Sequence, residues 1–250
     1  FGKPDKNNKR EIFRLEGIDS SSKWVNKKFE EFSDPDKRKL KNAVLRAIVV
    51  QQINPANDDT SMYHIFERLN TGGTSLKPQE VRNCIYHGDF NEMLITLNAY
   101  KNWRTIYGKQ NPDSHQRDVE LILRYIVLSQ KYLSYEKPMK DFLSKFMKLN
   151  QNPKGEFLSL ESAKFKKICD LVSTSLPNKP FNPRGAFNAA VFDAIFIAFS
   201  KNLNYMPSDI GARYKLLLKD KIFIPCTTSN TTDEETVRKR IQRAQSILFK

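Results

Sequence analysis

A nearly apolar helical segment is the feature that most constrains how this chain can fold. Residues 188–203, NAAVFDAIFIAFSKNL, are apolar around almost the whole circumference of a helix, a pattern typical of a helix covered on all sides by other elements. The most apolar run, 189–199, is too short to span a membrane and carries Asp193. We therefore predict a central buried helix rather than a helix in a bilayer.

Amphipathic segments before and after this helix in the sequence predict the helices that pack against it. Apolar residues recur at helical spacing in segments 34–47, 57–70, 91–100, 117–133, 137–152, 160–176, 209–220 and 233–250. Two short segments, 11–18 and 47–55, are instead alternating or β-branched and predict strands. The expected fold is mainly α, a multi-helix bundle with a small β-containing edge at the N-terminus.

The charge balance narrows the class of partner. The chain has 42 Lys and Arg against 28 Asp and Glu, a formal net charge of +14. Such an excess excludes an acidic, solvating protein and favours a polyanionic partner, usually nucleic acid. The excess is spread along the chain rather than confined to one tail.

Cysteine usage and the N-terminus predict a compartment. Three cysteines without a CxxC pair indicate reduced thiols, and the start FGKPDKNN has no hydrophobic signal core, so we expect a cytoplasmic protein that does not enter a membrane. Three scattered histidines predict no metal centre. Because no initiator Met is present, we expect a fragment or a processed product.

The segment FERLNTGGTSLKPQEVRN (66–83) is the richest in chemical information. One predicted helix ends near Asn70, Gly72 and Gly73 follow, and a second helix is expected to start near Pro78. Glycines let a ligand approach backbone N–H groups, and a helix N-terminus favours anions. With Arg68, Arg82 and Lys77 as cations and Asn70 and Glu80 as oxygen ligands, the turn suits a phosphate or a metal-bound phosphate.

A purely structural interpretation of the same segment stays open. Gly–Gly turns between helices are common, and one glycine can simply end a helix in the left-handed conformation. In that case Arg and Glu would form a surface ion pair on a helix–turn–helix elbow.

The segment FERLNTGGTSLKPQEVRNCIYHGDF resembles the signature of the GmrS-like domain family. That domain forms the N-terminal half of GmrSD-type modification-dependent restriction endonucleases and related bacterial antiphage defence proteins. The run RDVELILRYIVL (117–128) looks like a second recurrent segment of the family. The matching residues of the first segment are Phe66, Arg68, Leu69, Asn70, Gly72, Gly73, Leu76, Gln79, Glu80, Arg82 and Asn83.

The resemblance also implies a link to the ParB/sulfiredoxin fold. Asn70, Leu76, Pro78 and Glu80 follow the spacing of the ParB box that contacts nucleotide phosphates and metal. The resemblance thus implies that Asn70 holds a metal-bound phosphate and that Arg68 or Arg82 lies against it, with Glu80 a ligand or a structural partner of an arginine. It further implies a division into residues 1–110, the C-terminal part of a ParB/sulfiredoxin-like region, and residues 111–250, a helical domain.

One family hallmark does not occur in this sequence. The Asp-Gly-Gln-Gln-Arg motif tied to nucleotide hydrolysis is absent, and no His-Asn-His nuclease motif is visible. The resemblance implies a nucleoside triphosphate with Mg²⁺ as cofactor of the intact protein, and a His-Asn-His nuclease domain or subunit as a partner. Whether the chain itself is an enzyme stays open.

The sharpest local basic cluster is RKRIQR, in the last predicted helix. We expect its side chains to bind DNA phosphates, while a merely solvated helix face is the alternative. Trp103, Arg104, Tyr107 and Lys109 either stack on bases or form a packing edge. The cluster comprises Arg238, Lys239, Arg240 and Arg243.

Two hypotheses about function follow from these patterns. In the first, the chain is the helical part of a GmrS-like defence protein that binds a nucleotide phosphate at the 66–83 turn and contributes to recognition or restriction of foreign, modified DNA. In the second, it is a non-enzymatic basic helical module that binds DNA or a partner protein.

Overall fold

The structure, a computed structural model, describes residues 14–44, residue 65 and residues 76–250. The predicted strand 47–55, nearly all of the predicted helix 57–70 and the turn residues Arg68, Asn70, Gly72 and Gly73 lie outside these ranges. By its internal contacts the chain divides into two compact units, residues 1–51 and 52–250. The predicted domain boundary at 110/111 falls inside the second unit.

The described part of the first unit is a short run of turns, a 3-10 helix at Phe29–Glu31 and one α-helix. Backbone hydrogen bonds join Leu15 to Asn26 and Lys27, and Arg14 donates to the Asn26 carbonyl at 2.7 Å. Helix α1, Asp34–Lys41, begins after Ser33, whose hydroxyl accepts the Asp36 N–H. Residues 14–18, the described portion of the first predicted strand, form no strand.

In its described residues the second unit contains helices joined by loops and no strand. Its helices pack around one continuous hydrophobic core. They are α2 Pro78–Ile85, α3 Asp89–Asn98, α4 Lys101–Tyr107, α5 Arg117–Lys131, α6 Met139–Leu149, α7 Phe157–Ser175, α8 Ala189–Ser200, α9 Ile210–Lys219, α10 Phe223–Cys226 and α11 Glu234–Phe249.

Helix α8 lies at the centre of this core, as its all-round apolar pattern predicts. Every residue from Ala190 to Ser200 is buried, and α5, α7 and α11 pack around it. The Asn188 side chain accepts the N–H groups of Ala190 and Val191 and so caps the helix start. The prediction of a central buried helix is confirmed.

Aromatic rings fill the space around α8. The centres of the Phe192 and Phe196 rings lie 4.8 Å apart. The Trp103 ring of α4 contacts both of them, and the Phe165 ring of α7 contacts Phe196. Rings of this size contribute much of the apolar area that a core buries. The Trp103 side chain is fully buried, so the packing-edge interpretation of Trp103 is the correct one.

Hydroxyl side chains near the end of α7 belong to the helix rather than to a loop. Segment 173–175 is helical, and the Ser173 and Thr174 hydroxyls donate to backbone carbonyls three and four residues earlier. Within the described ranges, no helix combines the length and apolar character needed to cross a bilayer.

Candidate functional site

The second half of the 66–83 segment forms the start of α2. Lys77 precedes the helix and Pro78 is its first residue, as the sequence predicts. The Glu80 carboxylate accepts the Lys77 N–H at 2.7 Å, which satisfies a backbone donor that the helix itself leaves free. Glu80 therefore caps the helix that follows the predicted phosphate turn.

Arg82 is buried inside the bundle rather than exposed on an elbow. Its guanidinium donates to Glu120 of α5, to the Gln79 side-chain oxygen at 2.8 Å and to the Lys140 carbonyl of α6 at 3.4 Å. Gln79 in turn donates to Asn83 at 2.8 Å. Arg82 thus joins α2 to α5 and α6, and Gln79 and Asn83 extend its hydrogen bonds within α2.

A second charged residue of α5, Arg124, lies on the same helix face as Glu120 and reaches the core. Arg124 lies one helical turn after Glu120 and donates to both carboxylate oxygens of Asp193 on α8. Burial by itself lowers the pKa of Arg124, but the attraction of the Asp193 carboxylate raises that pKa overall. Arg124 is therefore a permanent cation beside the central helix.

Arg240 of α11 is a second buried arginine bound to Asp193. Its Nη2 donates to Asp193 Oδ2 at 2.9 Å, and both side chains are fully buried. Burial lowers the pKa of Arg240 despite the neighbouring carboxylate. We call the set Arg82, Glu120, Arg124, Asp193 and Arg240 the charge ladder; it holds three guanidinium groups and two carboxylates.

The burial of Arg240 corrects the predicted cationic face of the last helix. Lys239, Arg240 and Arg243 were expected to face solvent together, but Arg240 lies beside the buried Val237, Ile241 and Ala244. The helical spacing of those apolar residues contains the signal for this placement. Its counter-ion Asp193, a lone carboxylate within an apolar run, is the functional core residue that pattern reasoning did not assign.

The other arginines of that helix also have protein partners. Arg243 donates to both oxygens of Asp220, at 3.0 and 2.6 Å, and this pairing lowers the pKa of Asp220. Arg238 donates to the Leu133 carbonyl at 3.2 Å. Lys239 is exposed, and it is the one member of the cluster for which no ion pair or hydrogen bond occurs within the described residues.

Arg104 has a structural role in a second buried network. It donates to Asp118 at 2.7 Å and to Asn98 at 2.9 Å, and Asn98 also accepts the Trp103 indole N–H. The Lys109 carbonyl accepts a further bond from Arg104 at 2.9 Å. These contacts hold the loop between α4 and α5 and leave Arg104 unsuited to stacking on bases.

One histidine lies close to the start of α2. His115, just before α5, places Nδ1 3.4 Å from a Glu80 carboxylate oxygen. Among the described residues no group of three or more His, Cys, Asp or Glu side chains could hold a metal ion. The described part of the site therefore supplies cations and helix caps.

Comparison with protein-family models, with curated proteins and with solved structures finds no match to this chain.

Proposed function

We propose that this chain is a basic helical module that binds DNA within a GmrS-like restriction or antiphage defence protein. The observation that carries the proposal is the net charge of +14 combined with the exposure of most lysines in the described residues. Phosphate neutralisation by lysines releases counterions, which gives affinity without reading sequence. In this proposal residues 1–110 derive from a ParB/sulfiredoxin-like unit with a small β-containing edge.

DNA binding is tested by fluorescence anisotropy with labelled duplex and single-stranded oligonucleotides. We expect affinity to fall linearly on a log–log plot as salt rises from about 50 to about 200 mM, because each phosphate contact releases condensed ions. No binding of either DNA at the lowest salt would overturn the proposal. A cleavage step, if one follows, belongs to a His-Asn-His nuclease domain or subunit.

A second proposed role is binding of a nucleotide phosphate at the 66–83 turn. Its support is that Glu80 and Arg82 directly follow the turn and that the charge ladder ending at Arg82 holds one more cation than anion. The resemblance implies Asn70 as the residue that holds the metal-bound phosphate, with Arg68, Gly72 and Gly73 around it. Since Arg82 is bound to Glu120, we assign it to positioning α2.

The nucleotide role is tested in the intact protein with an Asn70→Ala variant. We expect loss of nucleoside triphosphate binding in the presence of Mg²⁺, measured by calorimetry, while the thermal melting of the variant stays unchanged. Glu92→Ala, an exposed substitution in α3, is the matched control. Unchanged nucleotide binding and turnover in Asn70→Ala would remove this residue from the phosphate site.

A further inference from the structure

Four lysines from three helical segments gather where α5 and α8 end. Lys164 and Lys167 lie three residues apart on α7, which places them on one helix face. Lys201 directly follows α8, and Lys131 is the last residue of α5. We call these residues, with two tyrosines, the lysine surface: Lys131, Lys164, Lys167, Lys201, Tyr132 and Tyr205.

Side-chain contacts connect the segments that carry the lysine surface. Lys201 Nζ lies 5.5 Å from the centre of the Tyr132 ring, next to Lys131. Lys167 Nζ donates to the Asn204 side-chain oxygen at 3.2 Å, beside Tyr205. Gln130 of α5 donates to Glu161 of α7 at 3.5 Å, one turn from Lys164. The three segments therefore form one continuous area of the second unit.

Carboxylates do not neutralise this area. None of the four lysines forms an ion pair within residues 76–250. Glu161, the acidic residue beside Lys164, is buried; burial raises the pKa of its carboxyl, and the nearby Lys164 ammonium opposes that rise. Asp170, the next acidic residue on α7, accepts hydrogen bonds from Tyr100 and Asn102 instead. Lys131, Lys167 and Lys201 thus face solvent without an ion-pair partner, and Lys164 is partly buried near Glu161.

An exposed aromatic ring accompanies the lysines. Tyr205 is 59% exposed, and it follows Asn204, which accepts the hydrogen bond from Lys167. Aromatic rings beside cationic side chains stack on unpaired bases while the cations contact the backbone. A duplex keeps its bases stacked inside, so the combination favours a single strand.

From this combination we propose that the lysine surface binds single-stranded nucleic acid, with Lys131, Lys164, Lys167 and Lys201 on the phosphates and Tyr205 stacked on a base. The inference rests on the proposed DNA-binding function and assigns it to one surface. That surface is distinct from the arginine-rich helix that the sequence favours.

The test compares two sets of four lysine substitutions that change the net charge equally. The first set converts the lysines of the surface to glutamine, and the control converts four other exposed lysines. Circular dichroism verifies that both variants are folded. The control substitutions are Lys145→Gln, Lys154→Gln, Lys215→Gln and Lys219→Gln.

For the surface variant we expect the salt slope of oligothymidine binding to fall by about 3, since each lost phosphate contact on a single strand contributes about 0.7. The control should keep nearly the whole slope. Separately, Tyr205→Ala should weaken oligothymidine binding about tenfold and Tyr205→Phe should restore it, because stacking needs only the ring.

Unchanged affinity in either the four-lysine variant or Tyr205→Ala would overturn the assignment. If the unaltered chain binds neither single-stranded nor duplex DNA, the proposed function itself fails, which is a distinguishable result. Loss of binding to phosphatidylserine-rich vesicles in the four-lysine variant, with oligothymidine affinity unchanged, would overturn the assignment in favour of a membrane surface.

Discussion

The arginines of the last helix and the lysine surface are both basic, but they stand in opposite environments. Arg240 is buried against Asp193, and Arg243 holds both oxygens of Asp220. Three of the four lysines of the lysine surface are exposed and Lys164 is partly buried, and none of them forms an ion pair in the described residues. Local density of basic residues in a sequence therefore does not show which cations face solvent; the position of the carboxylates on other helices decides it.

The chemistry of the two cations explains the division. A guanidinium is planar and binds a carboxylate with two parallel hydrogen bonds, so arginine tolerates burial in an ion pair. A lysine ammonium is compact and strongly hydrated, and its flexible stem keeps it at the surface. The cations of the charge ladder are all arginines, and the cations of the lysine surface are all lysines.

Asp193→Ala should have the largest effect on this comparison. It leaves Arg124 and Arg240 buried without their shared counter-ion, so we expect the free energy of unfolding to fall by about 3–5 kcal/mol. Urea denaturation followed by circular dichroism measures this change. Glu136→Ala, an exposed carboxylate with no ion pair in the described residues, is the control and should change little. A loss as small as that of the control would show that the ladder does not stabilise the core.

Neighbouring residues on α11 offer the next test. Arg240→Ala removes a fully buried cation and its bond to Asp193, and we expect a loss of about 3 kcal/mol in the free energy of unfolding. Lys239→Ala, one position earlier on the exposed side, should leave the unfolding midpoint nearly unchanged. Equal effects of the two substitutions would contradict the difference between buried and exposed cations on this helix.

Measurements of DNA binding compare the role of the α11 arginines with that of the lysine surface. Converting Arg238 and Arg243 to glutamine should change the salt slope of oligothymidine binding by less than about 1, because both side chains already have protein partners. Converting Lys167 and Lys201 should lower the slope by about 1.4, at about 0.7 per phosphate. Anisotropy titrations at several salt concentrations measure both. A larger change in the arginine variant would reverse the assignment.

The smallest effect is expected from the exposed edge of the arginine helix. The pairing with Arg243 lowers the pKa of Asp220. The ion pair therefore stabilises the fold above the unfolded-state pKa of about 4, and this stabilisation is lost as the pH falls through the lower pKa that Asp220 has in the folded state. Arg243→Gln should therefore lower Tm slightly near pH 7. Thermal melts at descending pH should show the difference from the unaltered protein shrinking toward zero. A difference that grows in acid would have the wrong sign for this pair.

The sequence predicted most of the helices of the second unit because the apolar residues of each helix recur at helical spacing. Segment 117–133 became α5 with Val119, Ile122, Leu123, Ile126 and Val127 buried, as its spacing indicates. Helix α4 was not predicted as a separate element, since its seven residues are too few to display a period. The first predicted strand contains no strand in residues 14–18, where side-chain alternation is not supported by a partner strand.

The candidate site was predictable only in part. Pro78 correctly indicated a helix start, because the preference of proline for the first helical position is local. The capping of this helix by Glu80, which was expected to be a ligand or an arginine partner, was not predicted. The burial of Arg82 against Glu120 depends on residues 38 positions apart, which no local pattern contains. The functions of Arg68, Asn70, Gly72 and Gly73 stay predictions, since these residues lie outside the described ranges.

The sequence by itself determined that the second unit is helical, that segment 188–203 is its centre and that the chain carries a large positive charge. Those properties follow from periodicity and composition, which are sums over neighbouring residues. Tertiary structure alone decided which cations are buried in ion pairs and which face solvent. The reason is physical: a buried charge is tolerated only beside an opposite charge, and Asp193 and Glu120 reach their arginines through the packing of separate helices.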